Sequence, residues 1–226
     1  MKTSALGLGL AAVVASAATA DITGVVQVGS SQTVADFGGA TVTVYTVDLY
    51  AVADNSSDTL LNVYNMTLGS GAPSSFYQST TGAGWTPTNL GGPFDNEATR
   101  KGDSFVTIGG FGTNAEQENG AGEGTGLDPN FGGNSAAAPG ALAGWFNSNP
   151  PSLNGQVGTT AVGLGVLIGR FSSTEGEFSL EGTTLSTTAN QGLGTDAVQG
   201  TWTIVPAPGA LALLAVAGLT GRRRRG

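Results

Sequence analysis

The chain has 226 residues, with no histidine and no cysteine, and its charges are unevenly placed. All 16 acidic side chains lie between residues 21 and 205, against three basic ones (Arg100, Lys101 and Arg170), a formal charge of −13. This composition excludes a Ser-His-Asp triad, a cysteine nucleophile, a zinc site built on imidazole or thiolate, and disulfides. Nucleic acid is a poor partner for so acidic a body, because phosphate binding requires basic surface.

The first 20 residues have the pattern of a secretory signal peptide. Lys2 gives a positive start, residues 6–18 form an apolar run expected to be a short helix, and Ala18 and Ala20 form a small-residue cleavage motif. We expect cleavage after Ala20, so that the mature chain begins at Asp21. A retained N-terminal anchor is the alternative, and the short apolar run disfavours it.

Alternating β-branched and aromatic residues predict seven or eight strands in the body. The predicted strands cover residues 22–28, 40–53, 59–68, 103–108, 162–171, 177–186 and 198–205, with a further short one around Phe76. Segment 40–53 is partly apolar on both faces, which indicates an inner strand or one with a bulge. Residues 54–58 read as an exposed turn, so segments 40–53 and 59–68 are predicted to pair as a long β-hairpin.

Long helical periodicity is almost absent from the body. Residues 109–144 are rich in Gly, Asn and Ala and are predicted to be a long surface excursion, with a short helix over 136–146. The fold expected from these patterns is all-β, a two-sheet antiparallel β-sandwich or jelly roll. It is predicted to form a single domain over residues 21–203.

Residues 204–226 differ in character from the rest of the chain. Val205, Pro206, Ala207 and Pro208 form a break, because proline cannot continue a strand ladder or a helix interior. Residues 209–221 are apolar and helix-forming but short for a membrane span. Four consecutive basic residues follow, Arg222, Arg223, Arg224 and Arg225. An ordinary C-terminal membrane anchor and an amphipathic tail are the alternatives.

This order of motif, apolar helix and arginine cluster resembles the PEP-CTERM sorting signal of bacterial exported proteins, also catalogued as the ice-binding protein C-terminal domain. Ala207 stands where that family usually has glutamate, as in planctomycete-like Val-Pro-Ala-Pro variants. The resemblance covers about a tenth of the chain. It implies export to the cell surface or beyond through an inner-membrane intermediate, transient membrane contact by the tail, and two partners, the secretion machinery and an exosortase-like enzyme.

Calcium is the metal that the loop residues favour, because it prefers oxygen ligands. The candidate ligands are Asp95, Glu97 and Asp103, with Asp128 as a second choice, although neither group has the spacing of an EF-hand. Solvated loop acids are the alternative interpretation. No other cofactor is predicted, and no residue stands out as catalytic.

Two classes of function remain open for the body. The first is a non-catalytic protein of the cell surface or extracellular matrix, with extracellular polysaccharide as a candidate ligand. The second is a secreted carbohydrate-active enzyme on a jelly roll, which would need two carboxylates about 5–10 Å apart in a cleft. Trp85, Trp145 and Trp202 are candidates for a sugar-stacking platform, although Trp202 lies mid-strand, where a core position is expected. Ice binding would require a regular threonine array, and the threonines here are irregular.

Overall fold

The computed structural model describes residues 22–82, 84–87, 93–109, 125–131, 137–148, 154–192 and 196–206. The strands within these ranges are β1 (Ile22–Ala35), β2 (Thr41–Ala53), β3 (Thr59–Thr67), β4 (Phe105–Val106), β5 (Thr125–Leu127), β6 (Ala143–Asn147), β7 (Gly158–Thr160), β8 (Gly163–Ser173), β9 (Thr184–Asn190), β10 (Ala197–Thr203) and β11 (Val205–Pro206). Helical elements there are a π-helical turn, Ala98–Gly102, and a 3-10 turn, Pro129–Phe131. No helix of the described part is long and apolar enough to cross a membrane. The predicted leader and tail helices lie outside the described residues.

Two sheets form the sandwich. The first sheet has the strand order β11-β1-β2-β8-β4, with β7 beside β8, and the second has the order β10-β9-β3-β6-β5. Paired strands run antiparallel except for β11, which runs parallel to β1. The predicted all-β, two-sheet antiparallel architecture is confirmed.

The long hairpin joins β1 to β2. These strands pair from Ile22 opposite Ala53 to Ala35 opposite Thr41, so β1 continues well beyond the predicted end at residue 28. Gly38, in the connecting turn, has a φ of 90°, a conformation that glycine adopts without a steric penalty. β2 lies between β1 and β8, which confirms the inner strand inferred from its two apolar faces.

The predicted pairing of segments 40–53 and 59–68 is wrong, because residues 54–58 cross from the first sheet to the second. β3 pairs with β6 and β9, and not with β2. The crossing also buries part of the predicted exposed turn. Asp58 is 1% exposed, and its Oδ1 accepts a hydrogen bond from the backbone N of Gly192 at 2.9 Å.

The main core fills the space between the sheets. Its aliphatic side chains come from facing strands: Val47, Leu49 and Ala51 of β2, Leu60, Val63 and Met66 of β3, and Leu185 of β9. Trp85 joins an aromatic group, with its ring 5.4–5.6 Å from the rings of Phe76, Phe131 and Phe171. In the absence of disulfides, burial of this apolar surface is the main stabilising contribution.

The folded domain extends past its predicted end at residue 203. Ile204 is fully buried in the core, although it was assigned to the tail. Val205 and Pro206 then pair with Val26 and Gln27 as β11. The proline is tolerated there because β11 is a terminal strand of the first sheet, where a missing N–H donor costs little.

Three other predictions fail in the second half of the chain. The helix over 136–146 is replaced, where the structure describes it, by a loop and β6. The excursion 109–144 contributes β5 and the buried Phe131, so it is only partly a surface segment. The strand predicted at 177–186 begins at Thr184, because the backbone N of Leu180 and the hydroxyl of Ser179 bond instead to the side chain of Gln27.

A buried ion pair lies on the outer face of the first sheet. Arg170 donates from Nε to Oδ1 of Asp48 at 2.7 Å and from Nη2 to Oδ2 at 3.0 Å, and both residues are at least 94% buried. Its Nη1 donates to the carbonyl of Lys101 at 2.7 Å, which ties the π-helical turn onto the sheet. Burial, and then the charge of Asp48, raise the pKa of the neighbouring Tyr50 to about 12.

Asp36 fastens the tip of the β1–β2 hairpin to a neighbouring loop. Its carboxylate accepts hydrogen bonds from the backbone N of Phe37 at 2.7 Å, from Thr80 Oγ1 at 2.8 Å and from the hydroxyl of Tyr77 at 2.9 Å. Burial alone would raise the pKa of Asp36, but these hydrogen bonds outweigh it and lower that pKa.

We expect Asp36→Asn to destabilise the protein at neutral pH and to have a progressively smaller effect in acid. A carboxylate with a lowered folded-state pKa stabilises fully above its unfolded value, about 3.9, and the contribution is lost as the pH falls through the folded value. Thermal melts of both proteins across pH 7 to 3 measure the difference. A difference in Tm that stays constant over this range would contradict the assignment.

Candidate binding grooves beside Trp202

No described strand closes the side of the sandwich between β10 of the second sheet and β1 of the first. The chain crosses this side at Ile204 on its way from β10 to β11. Trp202 lies on the core-facing side of β10 and is half-buried. Its Nε1 donates to Oγ1 of Thr187 at 2.8 Å, and its ring covers Gly200, where a Cβ would lie 2.3 Å from the indole. These contacts fix the orientation of the ring.

The larger depression, here called the Trp202 groove, has a volume of about 390 Å³. It runs from the indole across the start of β1 to the end of β2 and the turn before β8. Its lining residues are Thr23, Gly24, Val25, Val26, Val52, Val162, Trp202 and Thr203. The volume falls within the range of small-molecule sites, and the lining is mainly apolar with threonine hydroxyls at the rim.

A smaller groove of about 100 Å³ lies on the other side of the same ring. Its lining residues are Ile22, Thr187, Ala189, Val198, Gln199, Gly200 and Trp202. The indole therefore contributes to both grooves.

Among the described residues, the lining of neither groove includes a titratable side chain. General acid–base and nucleophilic catalysis need such a group within hydrogen-bonding reach of the substrate. The described lining of both grooves suits packing and hydrogen bonding to an uncharged ligand. No protein-family model, curated protein or solved structure matches the chain.

The predicted platform of three tryptophans does not form. Trp85 and Trp145 are each 1% exposed and belong to the main core, where Trp145 donates from Nε1 to the carbonyl of Thr107 at 2.9 Å. Trp202, for which a core position was expected, is the accessible one of the three. Indole rings favour burial, and both of these rings pack against Phe131, a contact that the strand pattern does not reveal.

The first group of predicted calcium ligands is occupied by protein contacts. Asp95 forms an ion pair with Arg100, in which Nε donates to Oδ1 at 2.9 Å. Glu97 accepts from the backbone N of Ala35 at 3.1 Å and pairs with Lys101 at 3.3 Å, and these two contacts lower its pKa. The carboxylates thus stabilise the loop beside the hairpin tip.

The other two predicted ligands also have structural contacts. Asp103 is fully buried and accepts from the backbone N of Ser79 at 2.8 Å. Asp128 accepts from the backbone N of Asn130 at 2.9 Å, in a turn before the 3-10 helix. No cluster of three or more acidic side chains suited to a metal ion occurs among the described residues. The structure therefore does not bring the four candidates together into one calcium site.

The sorting residues are only partly described. Val205 and Pro206 form β11. Ala207, Pro208 and the arginines at 222–225 lie outside the described residues, as do Ala18 and Ala20 of the leader. The predictions made for these positions therefore remain predictions.

Sequence reasoning missed the lining of the Trp202 groove. Thr23, Val26 and Val52 belong to strands whose alternation predicts ordinary sheet faces, and Val162 lies in a turn. They come together only because the start of β1, the end of β2 and the end of β10 meet at one groove. The available signal was Trp202 itself, a large aromatic residue within two residues of Gly200 in a predicted strand.

Proposed function

We propose that this protein is an exported, non-catalytic protein of the cell surface or extracellular matrix, and that it binds an uncharged polysaccharide in the Trp202 groove. The leader pattern and the sorting-signal resemblance support the location. The sandwich supplies a rigid scaffold between these two segments.

The observation that carries the proposal is a partly exposed indole in a groove whose described lining has no titratable side chain. An indole held in a fixed orientation presents a broad apolar face to the C–H faces of a sugar ring, and its cost in conformational entropy is low. Thr23 also lines this groove; its hydroxyl donates to the carbonyl of Val52 at 3.3 Å and keeps its lone pairs to accept from sugar hydroxyls.

The alternative of a carbohydrate-active enzyme receives less support. Glycoside hydrolysis uses two carboxyl groups on either side of the scissile bond. Neither Asp nor Glu occurs among the described lining residues of the two grooves. The buried acids of the described residues are held by protein contacts: Asp48 by Arg170, Asp58 by the backbone of Gly192, and Asp103 by the backbone of Ser79.

We expect a neutral polysaccharide to protect Trp202 from acrylamide quenching. Trp85 and Trp145 are almost fully buried, so quenching of the native protein reports mainly on Trp202. The probes are hydroxyethylcellulose and dextran, added to the full chain. Trp202→Ala should weaken binding by about tenfold or more in affinity electrophoresis, whereas Trp202→Phe retains an aromatic face.

Val162→Asp places a charge in the groove lining and should also weaken binding. Thr33→Asp places the same charge on the exposed hairpin, away from the groove; it is the matched control and should leave binding unchanged. Unaltered quenching with both polysaccharides, or equal binding by Trp202→Ala and the parent protein, would refute the groove assignment while leaving the export proposal intact.

Processing of the two chain ends tests the proposed export and sorting separately from ligand binding. Intact-mass spectrometry of protein recovered from the cell surface should give a chain that begins at Asp21 and ends between Pro206 and Gly209. Replacement of Arg222 to Arg225 by serine should leave the tail in place, because these charges are expected to hold the tail on the cytoplasmic side. Surface material that still ends in the four arginines would reject removal of the tail.

A further inference from the structure

β10 is the terminal strand of the second sheet and has an open edge. All seven residues pair with β9 in an unbroken register, from Ala197 opposite Asn190 to Thr203 opposite Thr184. No described strand lies on its other side. Such an edge presents unpaired N–H and C=O groups, which can hydrogen-bond to another strand.

The usual protections against edge pairing are missing from this strand. Ala197–Thr203 contains no charged residue and no proline, and its pairing with β9 has no bulge. The other strands with one described partner are less suited to pairing: β4 has two residues, β5 and β7 have three each, and β11 contains Pro206.

We propose that β10 is a self-association surface, on which a second copy of this chain pairs antiparallel about a two-fold axis through Gly200. In this register Val198 lies opposite Trp202 of the second copy, and Gln199 lies opposite its Thr201. Val198 and Trp202 are both half-buried on the core-facing side of the sheet. The pairing therefore places an aromatic residue against a β-branched one twice, a favourable cross-strand combination.

The residue at the two-fold axis leaves space for this pairing. Gly200 has no side chain, and the Trp202 ring of the same chain already lies over it. Two such rings would meet near the axis and cover each other's apolar edges. A second copy thus extends the core across the open side of the sandwich, and it forms an isologous interface that closes as a dimer. Because the second copy covers the same indole, the dimer and a ligand in the Trp202 groove exclude each other.

The negative charge of the body opposes self-association everywhere except along an uncharged surface such as β10. The body carries 16 acids and three bases, so two copies repel each other over most approaches. The nearest flanking acid is Asp196, just before the strand. Antiparallel pairing places the two Asp196 side chains at opposite ends of the ladder, about 26 Å apart, well beyond the screening length at physiological salt.

The interface is small, so the association must be weak. A seven-residue ladder is about 23 Å long, and with a depth of about 10 Å it covers roughly 230 Å² per copy. Stable complexes usually bury about 800 Å² per partner. The dimer therefore forms at high local concentration, as on a crowded surface, and it strengthens with salt because salt screens the repulsion.

Sedimentation velocity of the full chain over a range of concentrations, in about 20 mM and about 500 mM NaCl, tests the proposal. Gln199→Glu/Thr201→Glu places like charges opposite each other across the axis and should weaken association by about tenfold or more. Gln199→Glu/Thr201→Lys places opposite charges there and should retain or strengthen it, with a reversed dependence on salt. Both variants alter the same two exposed positions, so a general loss of folding affects them alike.

A third variant controls for total charge. Thr33→Glu/Thr43→Glu adds the same two charges to an exposed cross-strand pair on the β1–β2 hairpin, and it should leave association unchanged. The proposal is overturned if the parent chain stays monomeric in high salt. It is equally overturned if the two β10 variants associate to the same extent, because only the antiparallel register about Gly200 distinguishes them.

Discussion

Replacing Arg170 with methionine is expected to lower the free energy of unfolding by about 3–5 kcal/mol, because it leaves the carboxylate of Asp48 buried without its partner. The guanidinium bonds to both oxygens of that carboxylate, at 2.7 and 3.0 Å, and is 3% exposed. The change also removes the donor to the carbonyl of Lys101, so the π-helical turn loses its attachment to the sheet. Urea unfolding of both proteins measures the loss.

The double variant Asp48→Leu/Arg170→Met is the matched control. Removing both charges avoids an unpaired buried ion, so the double variant should be more stable than Arg170→Met alone. If the single change costs less than about 1 kcal/mol, water reaches the pair and screens it as at a surface. The outer face of the first sheet would then be more accessible to water than it is in this structure.

The sequence predicts this fold well where local pattern determines burial. Residues 40–53 are apolar on both faces, and they form the inner strand β2, with the main core on one side and Tyr50, Phe105 and Leu167 on the other. An inner strand can be predicted here because its signals, alternation and β-branching, are contained in neighbouring residues of the chain.

Strand pairing is less predictable, because it depends on where the chain goes after a turn. The polar residues 54–58 suit a reversal within one sheet and a crossing between two sheets equally well. The contacts that favour the crossing are distant: Asp58 bonds to the backbone of Gly192, 134 residues along the chain. The pair Asp48–Arg170 spans 122 residues and is likewise invisible to local pattern.

The candidate grooves, like the strand pairing, are not predictable from local sequence pattern. An alternating strand predicts that Val198 and Trp202 share a face, and the structure confirms it. What the pattern does not predict is that this face meets the edge of the first sheet, where no strand covers it completely. A groove lined jointly by β1 and β10, which belong to different sheets, depends on the topology of the whole domain.

The two ends of the described domain meet in the first sheet. β1 begins at Ile22, and β11 pairs with it at Val26 and Gln27 before the described chain ends at Pro206. Termini held in a ladder resist fraying. The last core residue, Ile204, precedes the proline motif, so loss of a tail beyond Pro206 would leave the core contacts in place. This arrangement is compatible with the proposed processing at both ends.

Trp145→Ala is expected to destabilise the protein by about 3–5 kcal/mol, the range for removal of a large aromatic side chain from a core. Trp145 is 1% exposed and lies edge-to-face with Phe131 at 5.8 Å. Its loss leaves a cavity between β6 and the covering loop, and it leaves the carbonyl of Thr107 without its indole donor. The shift in the urea midpoint, multiplied by the m value, gives the cost.

Phe146→Ala is the matched control, because it changes the next residue of the same strand. Phe146 is 44% exposed, and its ring lies over Gly126 on the outer side of the sheet, where a Cβ would be 2.5 Å from it. Its removal should cost about 1 kcal/mol or less, since it opens no cavity. Similar losses for the two variants would mean that β6 does not alternate between core and solvent, and that the region predicted as a helix is not the strand described.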